Sequence, residues 1–143
     1  MANIFADVSK WQESSADWFN KLKNSYGVKG CMVQITCSSD ETYANPVGAY
    51  QVYNAYQTFG KVGVYHYFYG DTDAEANVFL KYCKKYGLDK TTLLAIDIEE
   101  KSIGSNATSK INRFFEILHD AGYKNFCVYS ATHGSTVQST WLS

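Results

Sequence analysis

Proline is nearly absent. Pro46 is the sole one in 143 residues, so no proline-rich linker or tail interrupts the chain. Long apolar runs are missing too, and none approaches the ~20 residues needed to span a bilayer. Cysteine is sparse: Cys31, Cys37, Cys83 and Cys127 form no CxxC and have no CxxC…HxxxH partner, which argues against a zinc site. There is no excess of positive charge. A formal net charge of -1 offers no footprint for nucleic acid or an anionic membrane. Glycine-rich phosphate loops and the dinucleotide-binding glycine fingerprint are also lacking, which disfavours nucleotide enzymes. The opening MANIFADVSKWQ has neither a basic stretch nor an apolar one, so no secretory signal is expected.

What is present is a chain of one-domain size with 45% hydrophobic residues. Aromatics reach 16%, including 12 Tyr and 3 Trp. Their flat faces suit either the packing of sugar rings or an ordinary α/β core. Five short apolar runs read as buried strands: residues 4–8, 31–35, 62–69, 93–98 and 125–129. Helical spacing is seen in residues 15–22, 46–59, 73–86 and 109–121. Pro46 suits a helix start, Thr72 or Asp73 an N-cap, and Gly122 a helix stop. The alternation predicts an α/β fold with a parallel sheet, open or barrelled. The cysteines beside apolar runs read as small buried hydrophobes of a reducing compartment, although a disulfide between strands is also compatible with the sequence. Residues 130–143 are polar and show no strong period.

The run TTLLAIDIEE, residues 91–100, carries the chemistry. Side chains at i and i+2 of a strand share a face, so Asp97 and Glu99 point together at the C-terminal end of the fourth strand. Glu100 then points away, as a loop or helix-side charge. In parallel α/β folds that end hosts active sites, and Asp7 ends the first strand nearby. Converging carboxylates raise one pKa and so supply a protonated acid beside an ionised partner, as glycoside hydrolysis needs. The plainer reading is an acidic, solvated loop start. Tyr65, Tyr67 and Tyr69 share one face of the third strand, as cleft lining or core. His66 lies on the other face, as a satisfied buried histidine. His119 and His133 show no acidic partner, so a Ser-His-Asp triad has little support.

Together these segments resemble glycoside hydrolase family 25, the muramidases called Chalaropsis-type lysozymes. Asp7-Val8-Ser9-Lys10-Trp11-Gln12 resembles the family's DVSxWQ opening. Gly63-Val64-Tyr65-His66-Tyr67 resembles its G-x-Y-H-aromatic strand, Asp97-Ile98-Glu99 its DxE strand end, and Val128-Tyr129-Ser130 its later Y-[ST] strand end. Ala74 to Phe79 resembles its A-x-x-E-A-x-x-F helix more loosely. The resemblance implies a TIM-like (β/α) barrel that cleaves the β-1,4 bond between N-acetylmuramic acid and N-acetylglucosamine in peptidoglycan, as a phage endolysin catalytic domain does. Carried over by position, Glu99 is the proton donor. Asp97 orients the substrate acetamido group or stabilises developing charge, and Asp7 supports the cluster. Tyr65, Tyr67 and Tyr129 line the cleft. The family is net-retaining, with the substrate N-acetyl group as candidate nucleophile. No metal or other cofactor is implied. The binding partner is the glycan strand, with no nucleic acid and no membrane insertion.

Two departures accompany the resemblance. Where the family has a K-A-T-E-G-like segment, residues 36–40 read Thr-Cys-Ser-Ser-Asp, without the Lys, Glu or Gly. A further family Asp falls beyond Ser143, so residues 1–143 are expected to be a single catalytic domain with about five of eight strands and no wall-binding module. A fifth strand with an unpaired edge would then invite a homodimer. Lack of a signal peptide suits synthesis in a host cytoplasm and later release to the wall. The alternative function is a non-catalytic carbohydrate-binding or interaction domain that retains the cleft.

Overall fold

The structure, a computed structural model, describes residues 4–132 and 135–141, with side chains described through residue 128. Apolar, β-branched runs form strands and amphipathic runs form the helices between them. The order is β1 (Ile4–Val8), α1 (Ala16–Tyr26), β2 (Val28–Cys37), α2 (Gly48–Phe59), β3 (Gly63–Tyr67), α3 (Thr72–Lys85), β4 (Leu93–Asp97), α4 (Ala107–Asp120), β5 (Asn125–Thr132) and β6 (Ser135–Trp141). Short 3-10 turns cover Glu41–Tyr43 and Lys101–Ile103. The sheet runs β1-β2-β3-β4-β5-β6. Strands β1 to β5 are parallel and in sequence order, as right-handed crossovers through helices require.

One face of the sheet packs on the helices. Val33, Ile35, Val64, Leu94 and Ile96 meet Phe19, Phe79, Phe114 and Leu118, all fully buried. The stripe on α4 shows the logic: Ile111, Phe114, Phe115 and Leu118 follow i, i+3, i+4, i+7 and are all buried. Each such side chain contributes about 1.5–3 kcal/mol of transfer free energy. The opposite face holds a smaller cluster of Tyr65, Ala95 and Cys127, flanked by Met32 and Leu93. Helices α1 and α2 stop at Gly27 and Gly60, whose φ of 69° and 75° are left-handed and cost an L side chain strain. The four cysteines are thiols, three buried and Cys37 half-buried. Burial pushes Cys31 and Cys83 up to about 12.

The α/β class, the five parallel strands and the open sheet agree with the sequence reading. The expected unpaired edge on the fifth strand does not. β5 extends to Thr132 and pairs antiparallel with β6, from Phe126↔Trp141 to Thr132↔Ser135. The stretch STVQSTW is rich in Thr, Val and Trp, which favour strands. Its polar alternation gives no hydrophobic period, so pattern reading leaves it as coil. The sheet edges among the described residues are β1 and β6. Two helix starts also move: α2 begins at Gly48, two residues after Pro46, and α3 has Asp71 as its N-cap.

Candidate active site

The loop after β1 is built by the polar residues of its own motif. The Gln12 carboxamide oxygen accepts from Ser9 N at 2.7 Å and from Ser9 Oγ at 3.1 Å, closing a tight turn. From α2, the buried Gln51 donates Nε2 to the Ser9 carbonyl at 2.8 Å and to the Gln12 carbonyl at 3.2 Å. Asn45 Nδ2 donates in turn to Gln51 Oε1 at 2.8 Å. These bonds hold the loop over the C-terminal end of the sheet and leave Trp11 outside, 80% exposed, with Lys10 Nζ 4.9 Å from its ring centre.

Asp97 is the last residue of β4, level with Tyr67 on β3 and Tyr129 on β5. It is buried, 4% exposed. Its pKa is pushed up to about 8, first by burial, then by hydrogen bonding and repulsion from Glu99, then by repulsion from Asp7. Glu99 and Asp7 thus both lie close enough to Asp97 to disfavour its charge. Asp97 Oδ1 is buried without a hydrogen-bond partner among the described residues. Such a group costs about 1–3 kcal/mol and calls for an explanation. Asp7 is exposed at the mouth.

The tyrosines divide by depth. Tyr67 is half-buried and donates its hydroxyl to Glu100 Oε2 at 2.7 Å. Burial and Glu100 hold that phenol well above its usual range. Tyr69 lies beside it, ring centres 5.5 Å apart. Tyr65 sits one layer deeper, 4% exposed, its hydroxyl 3.4 Å from Gln34 Oε1. It forms a floor and presents no open wall. The side chain of Tyr129 and the whole of His133 lie outside the described residues.

Glu100 corrects the sequence reading. Strand β4 ends at Asp97, so alternation of faces does not extend to residue 100, and this carboxylate turns toward Tyr67. Sequence reasoning missed a second device below the mouth. Thr36 Oγ1 lies 2.7 Å from His66 Nδ1, and His66 Nε2 lies 2.8 Å from Glu75 Oε1; all three residues are buried. Burial holds the His66 pKa down, opposed by Glu75. Nε2–H therefore donates to the carboxylate, while Nδ1 accepts from Thr36. Glu75 also accepts from Tyr69 N at 2.9 Å and Asp71 N at 2.7 Å. It thus pins the β3–α3 turn that carries Tyr69. Thr36 occupies the place where the resemblance would put a lysine-bearing rim. Ser38 beside it has a φ of 55°, an uncommon conformation for a non-glycine residue.

A cavity of about 570 Å³ opens at the opposite end of the sheet, lined by Phe5, Lys23, Lys29, Phe59 and Lys61 among others. It contains no carboxylate and cannot supply acid catalysis. Among the described residues, no group of three or more His, Cys, Asp or Glu side chains is placed to hold a metal ion. No described helix is long and apolar enough to cross a membrane.

A buried carboxylate with Glu99 and Asp7 close by, and tyrosines beside it, thus stands at the C-terminal end of a parallel α/β sheet, the end where such folds place their active sites. The chain belongs to glycosyl hydrolases family 25, whose model matches residues 6–138. No curated protein matches it. Solved structures do. The catalytic domain of endolysin ply40 from bacteriophage P40 of Listeria monocytogenes is 25% identical with a TM-score of 0.68, over 91% of this chain and 64% of that one. The bacterial lysozyme of Streptomyces coelicolor is 23% identical with a TM-score of 0.68, over 91% and 64%. The family 25 lysozyme of Aspergillus fumigatus is 23% identical with a TM-score of 0.64, over 87% and 63%. The chain thus spans less than two thirds of the length of these structures.

Proposed function

We propose that residues 1–143 form a catalytic domain of a peptidoglycan hydrolase. It would cleave the β-1,4 bond between N-acetylmuramic acid and N-acetylglucosamine, act on the bacterial cell wall, and serve in lysis as an endolysin does. The observation that carries this reading is Asp97, buried at the end of β4 with one carboxylate oxygen lacking a partner among the described residues, and with Glu99 and Asp7 close enough to raise its pKa. A carboxyl that keeps its proton beside other carboxylates is the resource that acid-assisted glycoside cleavage uses.

In this mechanism Glu99 donates a proton to the leaving glycosidic oxygen, and takes up in its place the proton that Asp97 holds. The C1–O bond breaks as the carbonyl oxygen of the substrate's own acetamido group bonds to C1. Asp97, now ionised, stabilises the positive charge that spreads over the sugar and the acetamido group. Its partnerless Oδ1 is suited to accept the acetamido N–H, which would satisfy the buried oxygen. Water then attacks C1, the bond from C1 to the acetamido oxygen breaks to restore the acetamide, and the proton released by the water returns to the carboxylates. Retention of configuration follows from two displacements at C1. Asp7 helps keep the Asp97 proton bound by repulsion. Tyr67 packs along the glycan and orients Glu100, and Tyr65 floors the cleft.

The test is clearance of Gram-positive cell walls. Wild type should clear them, and Glu99→Gln should lose about 100-fold or more in rate, the scale of a lost general acid. A second reading is a wall-binding domain without turnover, favoured by the exposure of Asp7 at an open mouth. Glycan binding by wild type with no clearance would establish that reading and overturn the first.

A further inference from the structure

We propose that the outer face of α2 is a second glycan-binding surface, separate from the carboxylate mouth, which holds the protein on polymeric wall. The inference rests on the glycan reading above for its ligand class. Its observations are independent of the carboxylates. Tyr50, Tyr53 and Tyr56 are 67%, 63% and 54% exposed. They follow i, i+3, i+6, so they form one slanting row with neighbouring Cβ atoms about 5–6 Å apart. That spacing is comparable to one pyranose unit of a β-1,4-linked chain.

The chemistry of the face selects the occupant. Helix α2 reads GAYQVYNAYQTF and has no charged residue. A surface helix ordinarily carries charge on its outer face. Here the inner face is buried through Gln51, Val52 and Ala55, and the outer face offers only phenols, Ala49 and Gln57. Tyrosine gives a flat apolar face with a hydroxyl that remains hydrated when the site is empty. An uncharged row of this kind complements neutral N-acetylhexosamine rings, which bring C–H faces and hydroxyls. It does not complement an acidic or basic peptide. Three half-exposed rings offer a few hundred Å², well below the ~800 Å² that each partner contributes to a stable protein interface. A second copy of the chain is therefore poorly served. A polymer already held in the mouth needs only a weak second contact, because its effective local concentration is high.

The position in the fold fits this use. α2 begins after the C-terminal end of β2, so Tyr50 lies nearest the mouth and Tyr56 farthest from it. Tyr43, 58% exposed, stands in the loop between the two. The row thus leads away from the mouth down the outer wall.

The test pairs two measurements. First, Glu99→Gln protein is pelleted with insoluble peptidoglycan sacculi stripped of secondary polymers. It is compared with the same protein carrying Tyr50→Ala, Tyr53→Ala and Tyr56→Ala. Bound protein should fall about tenfold; replacement of the three by Phe should retain binding within about twofold, because the ring face makes the contact. Second, the triple Ala variant with Glu99 intact should cleave a short soluble muramyl glycan at the wild-type rate while clearing sacculi about tenfold more slowly. Unchanged retention of the Ala variant overturns the proposal, as does equal loss with Phe. A concentration-dependent dimer that the Ala variant abolishes assigns the face to a second copy and also overturns it. If no protein cleaves any glycan, the catalytic reading fails, and the pelleting comparison still decides this surface.

Discussion

At the residue scale, Asp97 links stability to pH in a direction opposite to most acids. Its folded pKa, pushed up to about 8, lies far above the ordinary value of 3.8. Between those values the folded state keeps a proton that the unfolded chain has lost, so stability falls as pH rises through that window. Asp97→Asn should therefore raise the melting temperature by about 4 °C or more at pH 8 and leave it unchanged near pH 4, while it abolishes wall clearance. A calorimetric series across this window checks the sign; a variant that is relatively more stable at pH 4 would sink the assignment. His66 acts on the other flank. Burial lowers its pKa below 6.5, so the unfolded state takes up the proton first and stability falls as pH drops below that value. Asp97 and Glu99 were legible in TTLLAIDIEE because an apolar run ending in acids is unusual. Glu100 was not, because a two-residue period says nothing once the strand has ended.

At the scale of elements, the β3–α3 turn is held from two sides. Glu75 accepts from His66 Nε2, Tyr69 N and Asp71 N in the core. Glu75→Ala would leave those buried donors unsatisfied and should cost about 3 kcal/mol or more in urea unfolding; Glu75→Gln, which keeps one acceptor oxygen, should cost about half of that. Gly70 gives the second constraint. Its φ is 109°, and a Cβ there would meet Ile103 Cα at 3.1 Å and the Ser102 carbonyl oxygen at 3.2 Å, both backbone atoms. Gly70→Ala should cost about 1–3 kcal/mol and lower turnover, because the turn carries Tyr69 beside Tyr67. A variant with wild-type stability and rate would show that the turn yields without consequence. His66 could be read as a buried histidine from its apolar neighbours. Its partners could not, since Thr36 and Glu75 are 30 and 9 residues away and come together only once β2 and α3 have packed. The helices and parallel strands were legible from their periods. β6 was not, because its sequence is polar and its strand character comes from pairing with β5.

At the scale of the whole molecule, β1 is one edge of the sheet among the described residues, and it exposes apolar side chains. Ile4 and Phe5 are 54% and 53% exposed, and the Lys61 ammonium lies 5.9 Å from the Phe5 ring centre. Natural edges are blunted by charge, proline or a bulge. β1 has a register irregularity between Ile4 and Phe5, and Asp7 is its sole charged residue. An isologous β1–β1 contact would be antiparallel, and a pair centred on Ala6 would set Phe5 across from Asp7 of the second copy. That arrangement buries apolar surface yet draws two Asp7 carboxylates toward one seam, so association should be weak. Sedimentation velocity of the 143-residue chain should show dimer growing with concentration. Phe5→Lys should weaken the dimer by about tenfold or more, the effect of placing charge on an edge. Because Asp7 also lies within electrostatic range of Asp97, dimer formation should change the activity per chain. A chain that stays monomeric at high concentration, with activity per chain independent of dilution, would leave the β1 edge without a partner of its own kind.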